Sequence, residues 1–200
     1  MPQKKKILHV IGSLSYGGIE TWLMHILRAK PTDMDIHLIL HPEASEKGKE
    51  NYEEEVKELG YPIWMCRGWP RKPWLYAYDF FRILREHGPF DIIHGHNYVF
   101  SGIVMRLAAL AKIPVRVSHS HNATPIVGNS LLRRLYQKKA LQWLGTHSTY
   151  GLGASEKAVA NLFGADWKND PRFSVMLYGF DFSPLGDLSA SKALRTSLGI

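Results

Sequence analysis

Two pairs of histidines stand out in this 200-residue sequence as groups that could do chemistry. His94 and His96 end one apolar run, and His119 and His121 end a later one. Residues two apart on a β-strand share a face of the sheet, so each pair can direct two imidazoles into one crevice. Histidine near its neutral-pH titration can bind sugar hydroxyls, act as acid or base, or ligate a metal. Any single one of these histidines could equally be a half-buried structural residue that is hydrogen-bonded to the backbone. Two such pairs, however, favour a functional site.

Zinc is the competing interpretation of these four imidazoles, because histidine nitrogen is a common zinc ligand. No Asp, Glu or Cys accompanies the histidines as an obvious further ligand. We therefore predict no metal site.

A loop with two adjacent glycines precedes the first predicted helix. Gly17 and Gly18 follow the first predicted strand, and Glu20 lies just beyond them. Glycines let the backbone approach a ligand closely, and the amides of a helix N-terminus favour an anion. The spacing from Gly12 does not fit the dinucleotide fingerprint G-x-G-x-x-G, and no lysine completes a P-loop. A tight turn that binds nothing is the alternative for this loop taken alone.

Two stretches combine basic residues with aromatic or apolar ones. One is a predicted helix with the basic residues Arg133, Arg134, Lys138 and Lys139, whose other face carries Leu132, Leu135, Tyr136 and Trp143. The other is the loop 69–74, where Arg71 and Lys72 lie between aromatics. Such stretches can lie on an anionic bilayer, although a solvated helix face is the simpler explanation. No DNA- or RNA-binding motif is present, so nucleic acid is not predicted as a partner.

The elements that must position these residues follow a regular pattern. Apolar runs of strand length alternate with amphipathic stretches of helix length, which is typical of βαβ units. We predict an α/β fold with a Rossmann-like, doubly wound, mainly parallel sheet of about seven strands, at 7–11, 36–40, 62–66, 90–94, 115–120, 149–153 and 173–178. Ligands of such sheets bind beyond the carboxyl ends of the strands, where the histidine pairs and the glycine loop lie.

Composition and charge restrict the class of protein further. The chain is 45% hydrophobic and 22% charged, which is typical of a globular domain and excludes a disordered or fibrous one. Its net charge of +7 indicates an anionic partner. The single cysteine, Cys66, cannot close an intramolecular disulfide, and the apolar run near the start is too short for a signal peptide or a membrane span. We expect a cytoplasmic protein.

The pattern changes after Tyr178. Turn-forming residues follow, and a short predicted helix at 191–198 has no strand after it on which to pack. We therefore expect residues 1–184 to form one Rossmann-like domain. Residues 185–200 would be a linker and the start of a second domain that lies outside this sequence.

Taken together, the motifs resemble the N-terminal domain of the retaining GT-B glycosyltransferases of family 4. The similar segments are K-I-L-H-V at 6–10, G-G-I-E at 17–20, D-I-I-H-G-H at 91–96, P-V-R-V-S-H-S-H-N at 114–122, G-A-S-E at 153–156 with L-F-G at 162–164, and Y-G-F-D at 178–181. Their order along nearly the whole chain is more specific than any one motif. Tyr178 departs from the family, which usually has Asn at this hinge between domains.

The resemblance implies that the longer protein transfers a hexose from a nucleoside diphosphate sugar to a saccharide or lipid-linked acceptor with retention of configuration. No cofactor or metal ion is expected. In the family, paired glutamates and basic residues of the second domain hold the donor, so this chain alone is expected to be inactive. With the basic helix, the resemblance also suggests surface polysaccharide assembly, as for a capsule or exopolysaccharide, at the inner face of a membrane.

The resemblance also assigns roles to individual residues. His121 or His119 would lie near the reacting sugar, and the alignment leaves both open. The amides of Gly17 and Gly18 would stabilise the leaving diphosphate. The remaining assignments are His96 and Asn97 on the acceptor side, and Glu20 positioning the loop or contacting the acceptor.

Three other classes stay open on the residues alone. The crevice could belong to a non-catalytic module that binds a phosphorylated sugar or nucleotide, or to a metal hydrolase with a histidine cluster. A nicotinamide-dependent Rossmann enzyme is the third, and the missing glycine fingerprint argues against it.

Overall fold

Seven strands form the centre of the molecule in a computed structural model, which describes residues 4–44, 50–68, 71–124, 130–179 and 188–199. They are β1 (Lys5–Val10), β2 (Met34–Leu40), β3 (Ile63–Met65), β4 (Ile92–Gly95), β5 (Val115–Ser120), β6 (Tyr150–Gly153) and β7 (Phe173–Val175). Their order across the sheet is β3-β2-β1-β4-β5-β6-β7, and every neighbouring pair is parallel. The predicted doubly wound, Rossmann-like sheet is confirmed.

Helices cover both faces of this sheet. They are α1 (Gly18–Arg28), α2 (Glu53–Glu58), α3 (Pro73–His87), α4 (Ser101–Leu110), α5 (Leu131–His147), α6 (Glu156–Phe163) and α7 (Leu188–Leu198). Short 3-10 turns lie at Pro42–Ala44, Tyr98–Phe100 and Ala165–Asn169. Side chains of α3, α4, α5 and α6 pack against one face, and those of α1 and α2 pack against the other.

The central strands are apolar at successive positions because both of their faces are covered. Leu8 and Val10 of β1 have no exposed surface and belong to the cluster on the α3 and α4 side. On β2, Ile39 packs on that side, whereas Leu38 packs on the α1 side. Each such fully buried side chain contributes about 1.5–3 kcal/mol of hydrophobic stabilisation.

The last part of the sheet differs from the predicted bounds. The strand expected at 173–178 stops at Val175, although the amide of Met176 still donates to the carbonyl of Gly153 at 2.9 Å. Beyond that bond the chain leaves the sheet, and Met176 and Tyr178 pack against the cluster around α1. Leaving the sheet here carries Tyr178 over the ends of the neighbouring strands.

Two sequence predictions fall wholly or partly outside the described residues. These are the domain boundary at 184–185 and the start of the loop 69–74. Helix α7 begins a few residues before the predicted position of 191. Its described side chains, from Lys192 onward, are exposed.

Candidate active site

Five histidines meet on one face of the sheet where β1, β4 and β5 end. His9 of β1 is in register with His94 of β4, and His94 is in register with Val117 of β5. Alternate residues of a strand share a face, so His96, His119 and His121 continue on the side to which His9 and His94 point. The strand order reverses between β1 and β4, which is the position where doubly wound sheets bind their ligands.

Hydrogen bonds join part of this cluster into a chain. His9 Nδ1 lies 3.0 Å from His96 Nε2, and His96 Nδ1 lies 3.0 Å from His121 Nε2. The hydroxyl of Tyr178 bonds to His121 Nδ1. A neutral imidazole has one donor and one acceptor nitrogen, so the chain is satisfied when all of its bonds run in the same direction. Both ring nitrogens of His96 and of His121 are thereby engaged.

His119 differs from His121 in this respect. Both ring nitrogens of His119 are buried with no hydrogen-bond partner in the described part of the chain, and so is Nε2 of His94. Leaving a buried polar atom without a partner costs about 1–3 kcal/mol. These nitrogens are therefore where a ligand atom would be most favourable.

Burial keeps the cluster uncharged at neutral pH. It lowers the pKa of His9 and His119 to about 4 and that of His121 to about 3. The pKa values of His94 and His96 lie well below the ordinary value for the same main reason. Repulsion from neighbouring histidines adds to the shift everywhere except at His119. The cluster thus offers hydrogen-bonding and ligating nitrogens rather than positive charge.

Two aromatic side chains form a wall beside the imidazoles. Trp22 of α1 is 6% exposed, and its ring centroid lies 5.4 Å from that of His119 in an edge-on arrangement. Tyr178 stacks on Trp22 with 5.3 Å between centroids. Burial raises the pKa of Tyr178 to about 12, so its hydroxyl keeps its proton.

The glycine loop lies at the start of α1, as predicted. Gly17 is the N-cap, with an extended backbone, and its carbonyl accepts from the amide of Thr21 at 2.9 Å. A Cβ added to Gly17 would lie 2.5 Å from Oε2 of Glu20, whereas nothing lies within 4 Å of one added to Gly18. The Glu20 carboxylate therefore folds back over the helix N-terminus, and burial raises its pKa. An incoming anion would meet this side chain first.

Asn97 connects two strands of the site. In the amide orientation assigned from the hydrogen-bond network, its Nδ2 donates to the carbonyl of Val10 at 2.8 Å, and its Oδ1 accepts from the amide of Gly12 at 3.0 Å. These bonds tie the end of β4 to the loop after β1. The side-chain amide thus positions the strand ends, in addition to any contact with an acceptor.

The basic helix α5 lies away from the histidines, on the face of the sheet that α4 covers. Its Arg133, Arg134, Lys138 and Lys139 are exposed. The leucines predicted for its packed face are exposed too, at 80% for Leu132 and 55% for Leu135. Among its residues only Ala140 and Leu144 are buried. Basic and apolar side chains are therefore mixed on one open surface.

Three residues of the site were missed by the sequence analysis: His9, Trp22 and Tyr178. The sequence predicts His9 only as part of an apolar strand, and its place beside His94 follows from the pairing of β1 with β4. Trp22 fitted the apolar spacing of α1 and gave no separate signal. In the sequence Tyr178 is only a departure from the hinge motif, and its contact with His121 depends on the path of the chain after β7.

The sheet order and the polar cluster at its switch point define a Rossmann-like ligand-binding domain. The model of Glycosyltransferase Family 4 matches residues 16–162. The chain belongs to this family.

Individual relatives agree with that assignment. The protein named "Putative glycosyltransferase EpsF" from Bacillus subtilis (strain 168) is 27% identical over an alignment of 198 residues, and the match covers 96% of this chain and 50% of the relative. The chain thus spans about half the length of that protein.

No helix in the described ranges is long and apolar enough to cross a membrane.

Solved structures show the same fold. Anabaena Alr3699/HepE, in a complex with UDP and glucose, superposes with a TM-score of 0.65 and 16% identity, over 98% of this chain and 50% of that one. The apo form of the lipopolysaccharide outer core galactosyltransferase WaaB has a TM-score of 0.60 and 14% identity, over 90% and 47% of the two chains. These structures are GT-B glycosyltransferases, which confirms the predicted fold class.

Proposed function

We propose that this chain is the acceptor-side domain of a retaining hexosyltransferase whose donor is a nucleoside diphosphate sugar. The observation that carries the proposal is the meeting of two groups at the β1 and β4 switch point of a family 4 chain. One group is the N-terminus of α1, where space is open beside Gly18, and the other is the cluster of neutral histidines. The HepE complex, which holds UDP and glucose, supports a nucleotide-sugar donor.

The glycine loop would stabilise the leaving group. Glycosyl transfer passes through an oxocarbenium-like state while negative charge develops on the departing diphosphate. The amides of Gly17 and Gly18 and the positive end of α1 can stabilise that charge without a metal ion. Glu20 has to swing away from the helix N-terminus when the diphosphate arrives, because two anions at this position repel each other.

The histidines would bind hydroxyl groups of the reacting sugars. Neutral imidazoles both donate and accept, which suits hydroxyls. No described residue bonds the ring nitrogens of His119, whereas His121 must first release Tyr178 or His96. We assign His121 or His119 to the transferred sugar, and His96 and Asn97 to the acceptor side.

The remaining part of the active site would come from a second domain. The chain spans about half of its curated relative and about half of the HepE chain. We propose that a C-terminal domain supplies the main donor contacts, and that the cleft lies between the two domains.

Turnover of the longer protein tests the site. His121→Ala and Gly17→Val should each lower the rate of sugar transfer at least 100-fold, the first by removing a sugar contact and the second by blocking the diphosphate. His147→Gln, at the end of α5, is the matched control and should keep the normal rate. Unchanged rates in both site variants would remove the site assignment, and ligand binding without any turnover would support the non-catalytic module instead.

We further propose that the acceptor is lipid-linked and that the protein works at the inner face of a membrane in surface polysaccharide assembly. The support is the open surface of α5, where exposed leucines are mixed with four basic residues. Basic residues near an anionic bilayer contribute about 1 kcal/mol each, and buried leucines add to this.

Vesicle sedimentation tests the membrane proposal. Lys138→Glu should weaken binding to phosphatidylserine vesicles about fivefold or more, and high salt should weaken binding of the unchanged protein. Lys157→Glu on α6 makes the same charge change on an exposed helix residue and should have little effect. Equal losses in the two variants, or no binding at all, would contradict docking through α5.

A further inference from the structure

Two histidines of the cluster lie beyond the point where their strands pair with each other. The pairing of β4 with β5 ends at Gly95 and Ser118. His96 and His121 come after it, and a hydrogen bond of 3.0 Å joins Nδ1 of His96 to Nε2 of His121. A sugar hydroxyl that takes the place of this bond removes the direct link between the two strand ends. Any other contact that keeps these ends in place then affects how the sugar is held.

A second link joins the same two strand ends outside the histidine cluster. Two residues after His96, the hydroxyl of Tyr98 donates to Oδ1 of Asn161 at 3.1 Å. Nδ2 of Asn161 donates at 2.9 Å to the carbonyl of Asn122, which follows His121 directly. A carbonyl oxygen only accepts, which fixes the orientation of the Asn161 amide and makes Tyr98 the donor. Asn161 of α6 thus connects the segment after β4 with the segment after β5.

Tyr98 makes its part of this link from an unfavourable backbone conformation. Its φ is +49°, in the left-handed region that glycine adopts freely and tyrosine adopts rarely. The side chain before it, that of Asn97, bonds to Val10 and Gly12, whereas that of Tyr98 bonds to α6. Two consecutive side chains therefore reach two different elements. Strained backbone of this kind concentrates at binding and active sites.

We propose that Tyr98 and Asn161 are positioning residues of sugar transfer. They hold the ends of β4 and β5 at a fixed separation while the hydrogen bond between His96 and His121 is exchanged for bonds to sugar hydroxyls. Both act through the histidines, so the inference rests on the proposed function. The bond to Asn122 lies at the surface, where its loss costs the fold little, and its effect falls on the geometry of the site.

Nuclear magnetic resonance of the 200-residue chain with isotope-labelled histidines tests the link. Asn161→Ala should shift the ring signals of His96 and His121, because their mutual hydrogen bond changes when the strand ends are released. Asn169→Ala, at an exposed asparagine after α6, is the matched control and should shift neither signal. Unchanged ring signals in Asn161→Ala would overturn the proposal. Circular dichroism shows whether the variant folds, and if it does not, Tyr98→Phe decides by the same criterion.

Rates of sugar transfer by the longer protein separate positioning from a general loss of structure. Tyr98→Phe and Asn161→Ala should each lower kcat about tenfold or more, because misplaced groups slow the reaction, while the KM for the donor stays nearly constant. Together they should lower kcat no further than one alone, as expected of a single link. Tyr78→Phe, at an exposed hydroxyl of α3, should keep the normal rate. Additive losses, or full rates in both single variants, would overturn the proposal.

Asn161→Asp tests whether both bonds of the link are required. The carboxylate still accepts from Tyr98 but has no proton to donate to the carbonyl of Asn122. We therefore expect Asn161→Asp to be as slow as Asn161→Ala. A normal rate in Asn161→Asp would show that the bond to Asn122 has no positioning role and would contradict the proposal.

Failure of this inference is distinguishable from failure of the proposed function. If the unchanged longer protein transfers no sugar, the proposed function fails, and the positioning role fails with it. If it transfers sugar and the variants are equally fast, the proposed function stands and only the positioning role is removed.

Discussion

At the scale of single residues, the buried histidines link the stability of this domain to pH. An unfolded histidine takes up a proton near pH 6.5, whereas burial lowers the pKa of folded His119 to about 4. Between these two pH values the unfolded chain binds more protons than the folded chain. The free energy of unfolding therefore has its full value above pH 7 and falls as the pH drops toward 4. At pH 5.5 this one residue lowers the free energy of unfolding by about 1.4 kcal/mol, and His9 lowers it further.

Urea denaturation of the chain at pH 7.5 and 5.5 measures this effect. We expect a clearly lower free energy of unfolding at pH 5.5, and a smaller difference between the two pH values in His119→Gln, which cannot titrate. His147→Gln, on a partly exposed residue, should keep most of the difference. Equal stability at both pH values would show that the histidines are not buried in the neutral form.

Glu20 gives a second prediction at this scale. Its carboxylate lies over the N-terminus of α1, where it attracts the helix amides and opposes an incoming phosphate. Glu20→Gln removes the charge and keeps the shape, so the longer protein should bind UDP several-fold more tightly, as measured by calorimetry. Weaker UDP binding in Glu20→Gln would mean that the carboxylate positions the loop for the donor.

At the scale of elements, the contact between α4 and α5 depends on one glycine. A Cβ at Gly102 would collide with the backbone carbonyl of Ala140, which cannot move without displacing α5. Gly102→Val should therefore destabilise the chain by about 2 kcal/mol or more, as measured by thermal or urea unfolding.

Gly145, in the same helix pair, is the matched control. Nothing lies within 4 Å of a Cβ added there, and a glycine inside a helix costs about 0.5–1 kcal/mol relative to alanine. Gly145→Ala should thus stabilise the chain slightly. If both substitutions destabilised it to a similar extent, the loss would come from altering either helix of the pair rather than from the close contact at Gly102.

At the scale of the whole molecule, the strand and helix order could be predicted because hydrophobic periodicity and glycine or proline breaks repeat along the chain. The place of the histidine pairs followed from alternation on a strand. The participation of His9 required the neighbour relation between β1 and β4, which joins residues far apart in sequence. The wall formed by Trp22 and Tyr178 required three-dimensional packing, which no local pattern encodes.

Exposure of α5 shows a different limit of sequence-based prediction. Leu132 and Leu135 have the spacing of a packed helix face but are exposed, and α5 has 17 residues whereas its neighbour α4 has 10. Which half of a helix is covered depends on the length of its neighbours. Periodicity alone does not contain that information.

The two-domain proposal leads to a prediction for the chain as a whole. If a second domain holds the donor, the 200-residue chain should fold but bind UDP weakly and show no sugar transfer, in contrast to the longer protein. Circular dichroism, UDP titration and a transfer assay on both proteins measure this difference. Robust turnover by the 200-residue chain would contradict the proposal.

The central position of β1 also has a consequence for synthesis on the ribosome. Its neighbour β2 ends at Leu40, but its other neighbour, β4, begins only at Ile92. During the seconds of translation between the synthesis of β2 and that of β4, β1 is an open strand edge in addition to the outer edge of the sheet, and chains can associate on such an edge. The imidazole cluster cannot form until His121 has emerged, so we expect the nascent chain to need protection longest at the edge where its chemistry is later assembled.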